Sequence, residues 1–380
     1  MPLRLLLLST PVGPLGSGRG GGVELTVVNL AQALVRQSHR VAIAAPAGSV
    51  LPERLQDHFA RLDLVQIPGA WQPTAQHQAA AQLAATGSAL ANAWEYARQR
   101  QGSYDLLVNF AYDWLPFYLT PFLSKPVAHF VSMGSLRADN AADAADSGSL
   151  LEQGIAQVSH AFPGTLGAYT QSQANTFSHL LPVDQWQILG GGIDVAGYDY
   201  CDRPGNALAW VGRIAPEKGL EDAVAAAIAA GQPLKIFGKV EDAHYWQSVQ
   251  QQMAQADAQI NYCGFLPTSQ LQRALGQCSA LLMTPHWVEA FGLVTIEALA
   301  CGVPVIAYCQ GGPAEIVRSG QTGWLVAPGD VGGLVEAIAR IDQISRADCR
   351  QQAETLYSLS AWGTRFEQWF DQIVSGIISS

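Results

Sequence analysis

Charge is scarce in this chain. Only 14% of its 380 residues are charged, and 21 basic side chains stand against 31 acidic ones. Lys and Arg are scattered singly, so nothing resembles the basic patch that nucleic acid requires. Long apolar runs are also missing. None reaches the 18 residues of a membrane-spanning helix, and no integral membrane segment is expected. The opening MPLRLLLLSTP is too short in its apolar part for a signal peptide. Arg4 interrupts it, no small-residue cleavage site follows, and it reads as a first buried strand. The six cysteines, Cys201, Cys263, Cys278, Cys301, Cys309 and Cys349, form no C-x-x-C pair. Free thiols in a reducing, cytoplasmic setting are the expectation. Neither a metal-ligand spacing nor a Ser–His–Asp order is present, so the expected metal complement is none.

What the chain does have is apolar substance, 49% of it, and a regular alternation. Short β-rich runs at 3–9, 41–46, 62–67, 105–110, 126–132 and 167–171 alternate with helical patterns at 22–38, 78–100, 113–122, 150–158 and 172–180. The second half repeats the scheme. Its strands are expected near 207–212, 234–238, 260–265, 280–285, 303–308 and 323–326. Helices are expected at 218–230, 242–256, 268–277, 292–301, 312–319 and 330–343. Such alternation predicts an α/β fold with parallel sheets covered on both faces. Eleven or twelve strands exceed one such sheet, so two Rossmann-like domains are expected, 1–187 and 188–357, with the break inside the Gly-rich stretch 188–206. Residues 358–380 begin as an amphipathic helix with Trp362, Phe366, Trp369 and Phe370 on one face, expected to pack back on the first domain. The first 187 residues hold 10 basic and 12 acidic residues, so most of the net charge of −10 lies in the second half.

In open parallel sheets, ligands sit beyond the carboxyl ends of the strands. Three loops there carry chemistry. The first, STPVGPLGSGRGGGVELT (9–26), is glycine-dense and runs into a helix. Bare backbone amides at Gly20, Gly21 and Gly22, added to the partial positive charge of a helix start, suit a phosphate. The loop has neither the tight dinucleotide spacing after its strand nor a Walker pattern, which disfavours an NAD oxidoreductase. The second, LAWVGRIAPEKGLEDAV (208–224), places Arg213 and Lys218 five residues apart at a strand end, a pair able to close on a diphosphate. The third, HWVEAFGLVTIEALACGVPVIA (286–307), holds Glu289 in a loop. Phe291, Gly292 and Leu293 open a helix whose free amides face outward, and Glu297 lies a turn further in. Helical side chains lean toward the N-terminus, so Glu297 can reach the same pocket and accept from a vicinal diol. A carboxylate among Thr295, Ile296, Ala298 and Leu299 needs partners.

VGRIAPEKG, TPHWVEAFGLVTIEALACGVPVIA and GGPAEIVRSGQTGWLV together resemble the nucleotide-sugar half of the retaining glycosyltransferases of family 4. The resemblance is strong over 186–345 and weaker over 1–185, the half that binds the acceptor in that family. It implies a GT-B fold, two Rossmann-like domains whose parallel sheets face each other across a cleft. It implies that Arg213 and Lys218 bind the donor diphosphate. Glu289, with the amides of Phe291, Gly292 and Leu293, would hold the transferred sugar, and Glu297 would bind the ribose hydroxyls. Gly21 and Gly22 would add amides to the diphosphate, and Thr295 a phosphate contact. Gly238, Lys239, Phe265 and Leu266 are base-side candidates. In that family a histidine at a first-domain strand end usually contacts the donor sugar, and His129 in PVAHFVSMG fits, although Phe130 follows it where the family often has Asp or His; a core histidine is the alternative reading.

The activity so implied is transfer of a hexose, with retention, from a nucleoside diphosphate sugar to a hydroxyl. Charge growing on the departing diphosphate would be stabilised by Arg213, Lys218 and the helix starts. No cofactor beyond the nucleotide-sugar co-substrate and no bound metal is implied. The loop at 9–26, with APAGSVLP at 45–52, is also similar to glucosyltransferases of cyanobacteria that act on tetrahydrobiopterin with UDP-glucose. That implies UDP-glucose as donor and a pterin as acceptor, for which Trp71, Trp94, Tyr112 and Trp114 are stacking candidates against their plainer role in a core. Two rivals keep the same fold or pocket: a sugar-nucleotide epimerase or phosphorylase, and a non-catalytic UDP-sugar-binding protein.

Overall fold

A computed structural model of the chain describes residues 1–18, 21–58, 60–72, 87–135, 147–254 and 259–376. It divides into two compact units, Met1–Gly192 with Leu359–Ser380, and Ile193–Ser358. The chain therefore passes between them twice, at Gly192–Ile193 and at Ser358–Leu359.

The first unit is built on seven parallel strands: β1 (Arg4–Leu8), β2 (Arg40–Pro46), β3 (Leu62–Ile67), β4 (Leu106–Asn109), β5 (Val127–Phe130), β6 (Leu166–Ala168) and β7 (Gln187–Ile188). Their order is β3-β2-β1-β4-β5-β6-β7. In β1 every residue after Arg4 is buried, and β4 and β5 are buried throughout. That is why they read as continuous apolar runs rather than alternating ones. The helix Gly21–Arg36 covers one face. The helix Leu359–Ser375 packs beside it, burying Trp362, Phe366, Trp369 and Phe370, the face marked by the sequence. Trp362 and Arg365 of this helix bond the carbonyls of Gly190 and Leu189 at 3.0 and 2.8 Å. A Cβ at Gly192 would stand 2.6 Å from the Trp362 ring.

The second unit repeats the plan with β8 (Leu208–Val211), β9 (Leu234–Phe237), β10 (Ile260–Gly264), β11 (Leu281–Met283), β12 (Val305–Tyr308) and β13 (Gly323–Val326), all parallel, in the order β10-β9-β8-β11-β12-β13. Its core gathers Trp210, Leu220, Val224, Leu282, Ile306 and Tyr308, among others, between the sheet and its helices. Two elements had no sequence signal: β7, only two residues long, and the polar helix Arg346–Leu356. Of the expected helix at 78–100, Ala89–Arg100 is seen, and 78–86 lies outside the described residues. All six cysteines are free. Among the described residues no helix is long and apolar enough to cross a membrane.

A buried histidine at the amino ends of the first sheet gives the fold a pH response. His39 is fully buried; its Nδ1 accepts from the Leu3 amide at 3.0 Å, and its Nε2 lies 3.3 Å from Glu367 on the last helix. Burial pushes its pKa below the ordinary histidine value, an effect partly offset by Glu367 and Asp371. The native state therefore binds this proton less readily than the unfolded chain. The contribution is present above the ordinary histidine pKa and is lost as pH falls. The variant His39→Gln should accordingly show a shallower decline of Tm between pH 7 and pH 5 than the parent, even though its Tm at pH 7 is lower. A pH series of thermal melts checks this.

Candidate functional site

The strand order of the second sheet reverses between β8 and β11, and ligand crevices open at such switch points. The two loops that leave these strands meet there. The Thr284 hydroxyl donates to the Gly219 carbonyl at 2.7 Å, and the His286 amide to the Glu217 carbonyl at 2.9 Å. Gly219 makes the approach possible. Its φ is +59°, and a Cβ there would fall 2.0 Å from the Thr284 oxygen.

Across this contact Lys218 Nζ donates to Glu289 Oε2 at 2.5 Å, and the Trp287 indole N–H donates to the same oxygen at 3.0 Å. The ammonium also sits 4.5 Å from the centre of the Trp287 ring. Burial alone would raise the Glu289 pKa. The Lys218 charge and hydrogen bond, the Trp287 N–H and the Arg213 charge outweigh it and hold the carboxyl below its usual range. Arg213 lies at the mouth of the same loop. Its two terminal nitrogens bond Glu241 at 2.5 Å and Glu217 at 2.9 Å. The Arg-x4-Lys pair and Glu289 are thus brought together, but each cation already carries a carboxylate. An incoming anion has to compete with Glu217 and Glu241 for Arg213, and with Glu289 for Lys218.

The loop after β11 ends at Gly292, whose φ of +78° starts the helix Leu293–Ala300. Phe291 turns inward, 4% exposed, and packs edge-on against Tyr357. Its side chain is an anchor, which leaves only the backbone here to face a ligand. Thr295 is fully buried and its hydroxyl finds no partner among the described residues. Glu297 is 9% exposed. The Tyr198 hydroxyl donates to its Oε1 at 2.8 Å. Burial raises the Glu297 pKa, and the Tyr198 hydrogen bond only partly counters this.

Of the residues expected to lie near the base, Gly238 has a φ of +148°, and a Cβ there would overlap the Gly212 oxygen at 1.7 Å. The strand ends of β8 and β9 can touch only because this residue is glycine. Lys239 Nζ stands 4.4 Å from the centre of the Phe265 ring, which is 53% exposed. An exposed ring beside a strand end is a usable stacking surface.

The first unit treats its candidates differently. Gly21 and Gly22 open the helix Gly21–Arg36 and are exposed, as an anion contact requires; Gly20 lies outside the described residues. The amides of Gly16 and Gly18, earlier in the loop, are already taken by the Glu24 carboxylate in the first helical turn. His129 is enclosed within the first unit. It does stand at the carboxyl end of β5, but its ring is fully buried and stacked on Phe117 at 4.4 Å. Nδ1 lies 3.3 Å from the Asn109 amide nitrogen and Nε2 2.9 Å from the Thr120 hydroxyl. Burial depresses its pKa to about 3, so it is a neutral core histidine here. Among the stacking candidates, Trp94 is 1% exposed core and the Tyr112 hydroxyl donates to the Gly134 carbonyl at 2.8 Å. Trp114 is 39% exposed.

Sequence reasoning missed Trp287, Tyr198, Glu217 and Glu241. Trp287 is two residues from Glu289 and had a local signal. Tyr198 is separated from Glu297 by 99 positions, and nothing in the sequence pairs them. Among the described residues no group of three His, Cys, Asp or Glu is placed to hold a metal ion.

The second unit matches a known family. Residues 203–356 fit the family described as glycosyl transferases group 1. Glycogen synthase of Mycobacterium tuberculosis is 34% identical over 176 residues, 44% of this chain and 42% of that protein. The 2-deoxystreptamine N-acetyl-D-glucosaminyltransferase of Streptomyces fradiae is 33% identical over 136 residues, 34% of this chain and 32% of that one. The matched stretch thus spans less than half the length of these curated relatives. Whole-chain likeness comes from solved structures. HepE of Anabaena, crystallised with UDP, superimposes with a TM-score of 0.72 at 17% identity, covering 96% of this chain and 99% of that one. Sucrose-phosphate synthase of Thermosynechococcus elongatus gives 0.77 at 19% identity, covering 98% and 100%. The fold is GT-B.

Proposed function

We propose that this chain is a retaining glycosyltransferase that moves a hexose, glucose first among the candidates, from UDP to a hydroxyl of a small acceptor, with a pterin as the first acceptor to try. The observation that carries this reading is the junction of two loops at the switch point of the second sheet. There Arg213, Lys218 and Glu289 converge beside the amides of Gly292 and Leu293, with the buried Glu297 one helical turn behind. The family match over 203–356 and the UDP complexes of the similar structures support it.

In the proposed reaction Arg213 and Lys218 bind the diphosphate and stabilise the charge that grows on it as the bond to the sugar breaks. Each charge-assisted contact of this kind contributes about 1.5–3 kcal/mol. Glu289 accepts hydrogen bonds from the sugar hydroxyls and stays ionised, because Lys218 and Trp287 hold its pKa down. Glu297 accepts from the ribose, and the exposed ring of Phe265 offers a face to the base. Gly21 and Gly22 are proposed as a further phosphate contact. His129 is left out of this set, since its ring nitrogens are engaged inside the first unit.

The direct test is a thermal-shift comparison of UDP, GDP and ADP, and then assay of UDP release from UDP-glucose with pterin and sugar acceptors. The expected result is a UDP-specific shift and acceptor-dependent UDP release with the anomeric configuration kept. A changed sugar without acceptor would indicate an epimerase, and dependence on inorganic phosphate a phosphorylase. UDP binding without turnover on any acceptor would indicate a binding protein.

A further inference from the structure

The environment of Glu297 is lopsided. Its Oε1 accepts the Tyr198 hydroxyl at 2.8 Å. Its Oε2 has no hydrogen-bond partner among the described residues, and no cation pairs with the carboxylate. Arg350 from the helix Arg346–Leu356 is nearby, but its NH1 is spent on the carbonyls of Tyr198 and Ala300 at 2.7 and 2.6 Å. The remaining titratable neighbour, Cys301, is one turn further along the same helix, a buried thiol pushed up to about 12. One oxygen of this largely buried carboxylate is therefore fixed, and the other is unpartnered among the described residues. It is well suited to receive a donor from outside the protein.

We propose that the Tyr198 hydroxyl is a positioning group for donor binding: it fixes one Glu297 oxygen so that the other accepts the ribose diol of the nucleotide. The inference rests on the reading of Glu297 given above and adds to it a residue that does not touch the nucleotide. The chain arranges this over a short path. Tyr198 closes the 3₁₀ turn Val195–Gly197, its amide bonded to the Val195 carbonyl, and it is 7% exposed. Arg350 ties its carbonyl to that of Ala300, at the end of the helix that carries Glu297. The ring is thus held from its own backbone, with its hydroxyl on the Glu297 carboxylate.

The test measures the affinity of the full chain for UDP and for 2′,3′-dideoxy-UDP, which lacks the diol, between pH 6 and pH 8. The variants are Tyr198→Phe, Glu297→Gln and the double substitution, with Tm recorded for each. Y198F should weaken UDP binding about tenfold, the loss of one hydrogen bond of about 1.4 kcal/mol, and leave the dideoxy analogue unchanged. Without the Tyr198 hydrogen bond the carboxylate gains protons more readily, so the UDP affinity of Y198F should fall off at a higher pH than that of the parent. A residue with a merely structural role would not move that profile. Y198F also strands a buried carboxylate and is open to misfolding, so the Glu297→Gln background supplies the folded comparison. There Y198F should cost no further UDP affinity. Unchanged UDP binding by Y198F at every pH, or a further tenfold loss on the E297Q background, overturns the positioning role. If E297Q itself binds UDP as the parent does, the reading of Glu297 fails and this inference fails with it.

Discussion

Lys218→Ala should lower the rate of UDP release from UDP-glucose by about 10²–10³-fold, the usual cost of removing one group aimed at developing charge. Lys218 is the more enclosed of the two cations, its side chain 17% exposed against 40% for Arg213. Its charge is therefore less screened by water. The same substitution should reduce stability, because it leaves Glu289 without its cation. In the parent, the lowered Glu289 pKa is a contribution present above the ordinary carboxylate range and lost as pH falls through the folded value. In K218A burial acts on Glu289 with Lys218 gone, so the carboxyl rises and the stability deficit is largest at neutral pH. It should shrink as the pH is taken toward 5. Adding Glu289→Gln to K218A should recover Tm and leave turnover depressed. Recovery of turnover along with Tm would mean that Lys218 serves the fold and not the reaction. Arginine is no substitute, since the planar guanidinium cannot occupy the place of a compact ammonium over Trp287.

This division between charge and pairing separates what was legible in the sequence from what was not. Strands buried on both faces announce themselves, so β11 and β12 stood out as LLM and VIAY within longer apolar runs. The reversal between β8 and β11 follows from the Rossmann pattern, and with it the location of the loops. The charged residues of those loops were visible for the same reason that charge anywhere in this chain is visible: it is rare. Their partners were not. Lys218 and Glu289 lie 71 positions apart, and Tyr198 and Glu297 lie 99 apart. The helix Arg346–Leu356 was invisible because long-range bonds help hold it. Arg346 reaches the carbonyls of Cys201, Gly276 and Cys278, and only Cys349, Gln352 and Ala353 of the helix are buried.

His129 shows the same limit from the other side. Its place at a strand end was right, yet whether its ring faces out or in is decided by Phe117, Asn109 and Thr120 on other elements. An Asn at one nitrogen, a hydroxyl at the other and a stacked ring make a satisfied interior. A carboxylate can be placed by its surroundings just as firmly, but the energetic consequence differs. A neutral imidazole in such a setting costs little, whereas an ionised carboxylate with one partner costs a great deal.

That difference yields the second large effect. Glu297→Gln should raise stability at neutral pH while lowering UDP affinity about 10–100-fold, the equivalent of one to two charge-assisted hydrogen bonds. The raised Glu297 pKa means that the native state holds this proton more tightly than the unfolded chain does. Its stabilising contribution is present below the ordinary carboxylate pKa and is lost as pH rises through the folded value. As the pH rises through that value the parent therefore comes to carry a charged, largely buried carboxylate with Tyr198 as its sole hydrogen-bond partner among the described residues. The amide of E297Q has the same shape, can still accept from Tyr198 and has no charge to bury. Its advantage should be largest at the alkaline end of the series, where the parent has the most charge to bury. The advantage should fade as the pH falls through the folded value and the parent takes up its proton. Thermal melts across that range, set beside UDP titrations of the same samples, check both signs at once. A gain in Tm paired with a loss of affinity is what a group retained for binding produces. A loss of both would mark Glu297 as a structural residue, and a loss of neither would return it to the surface of an ordinary helix.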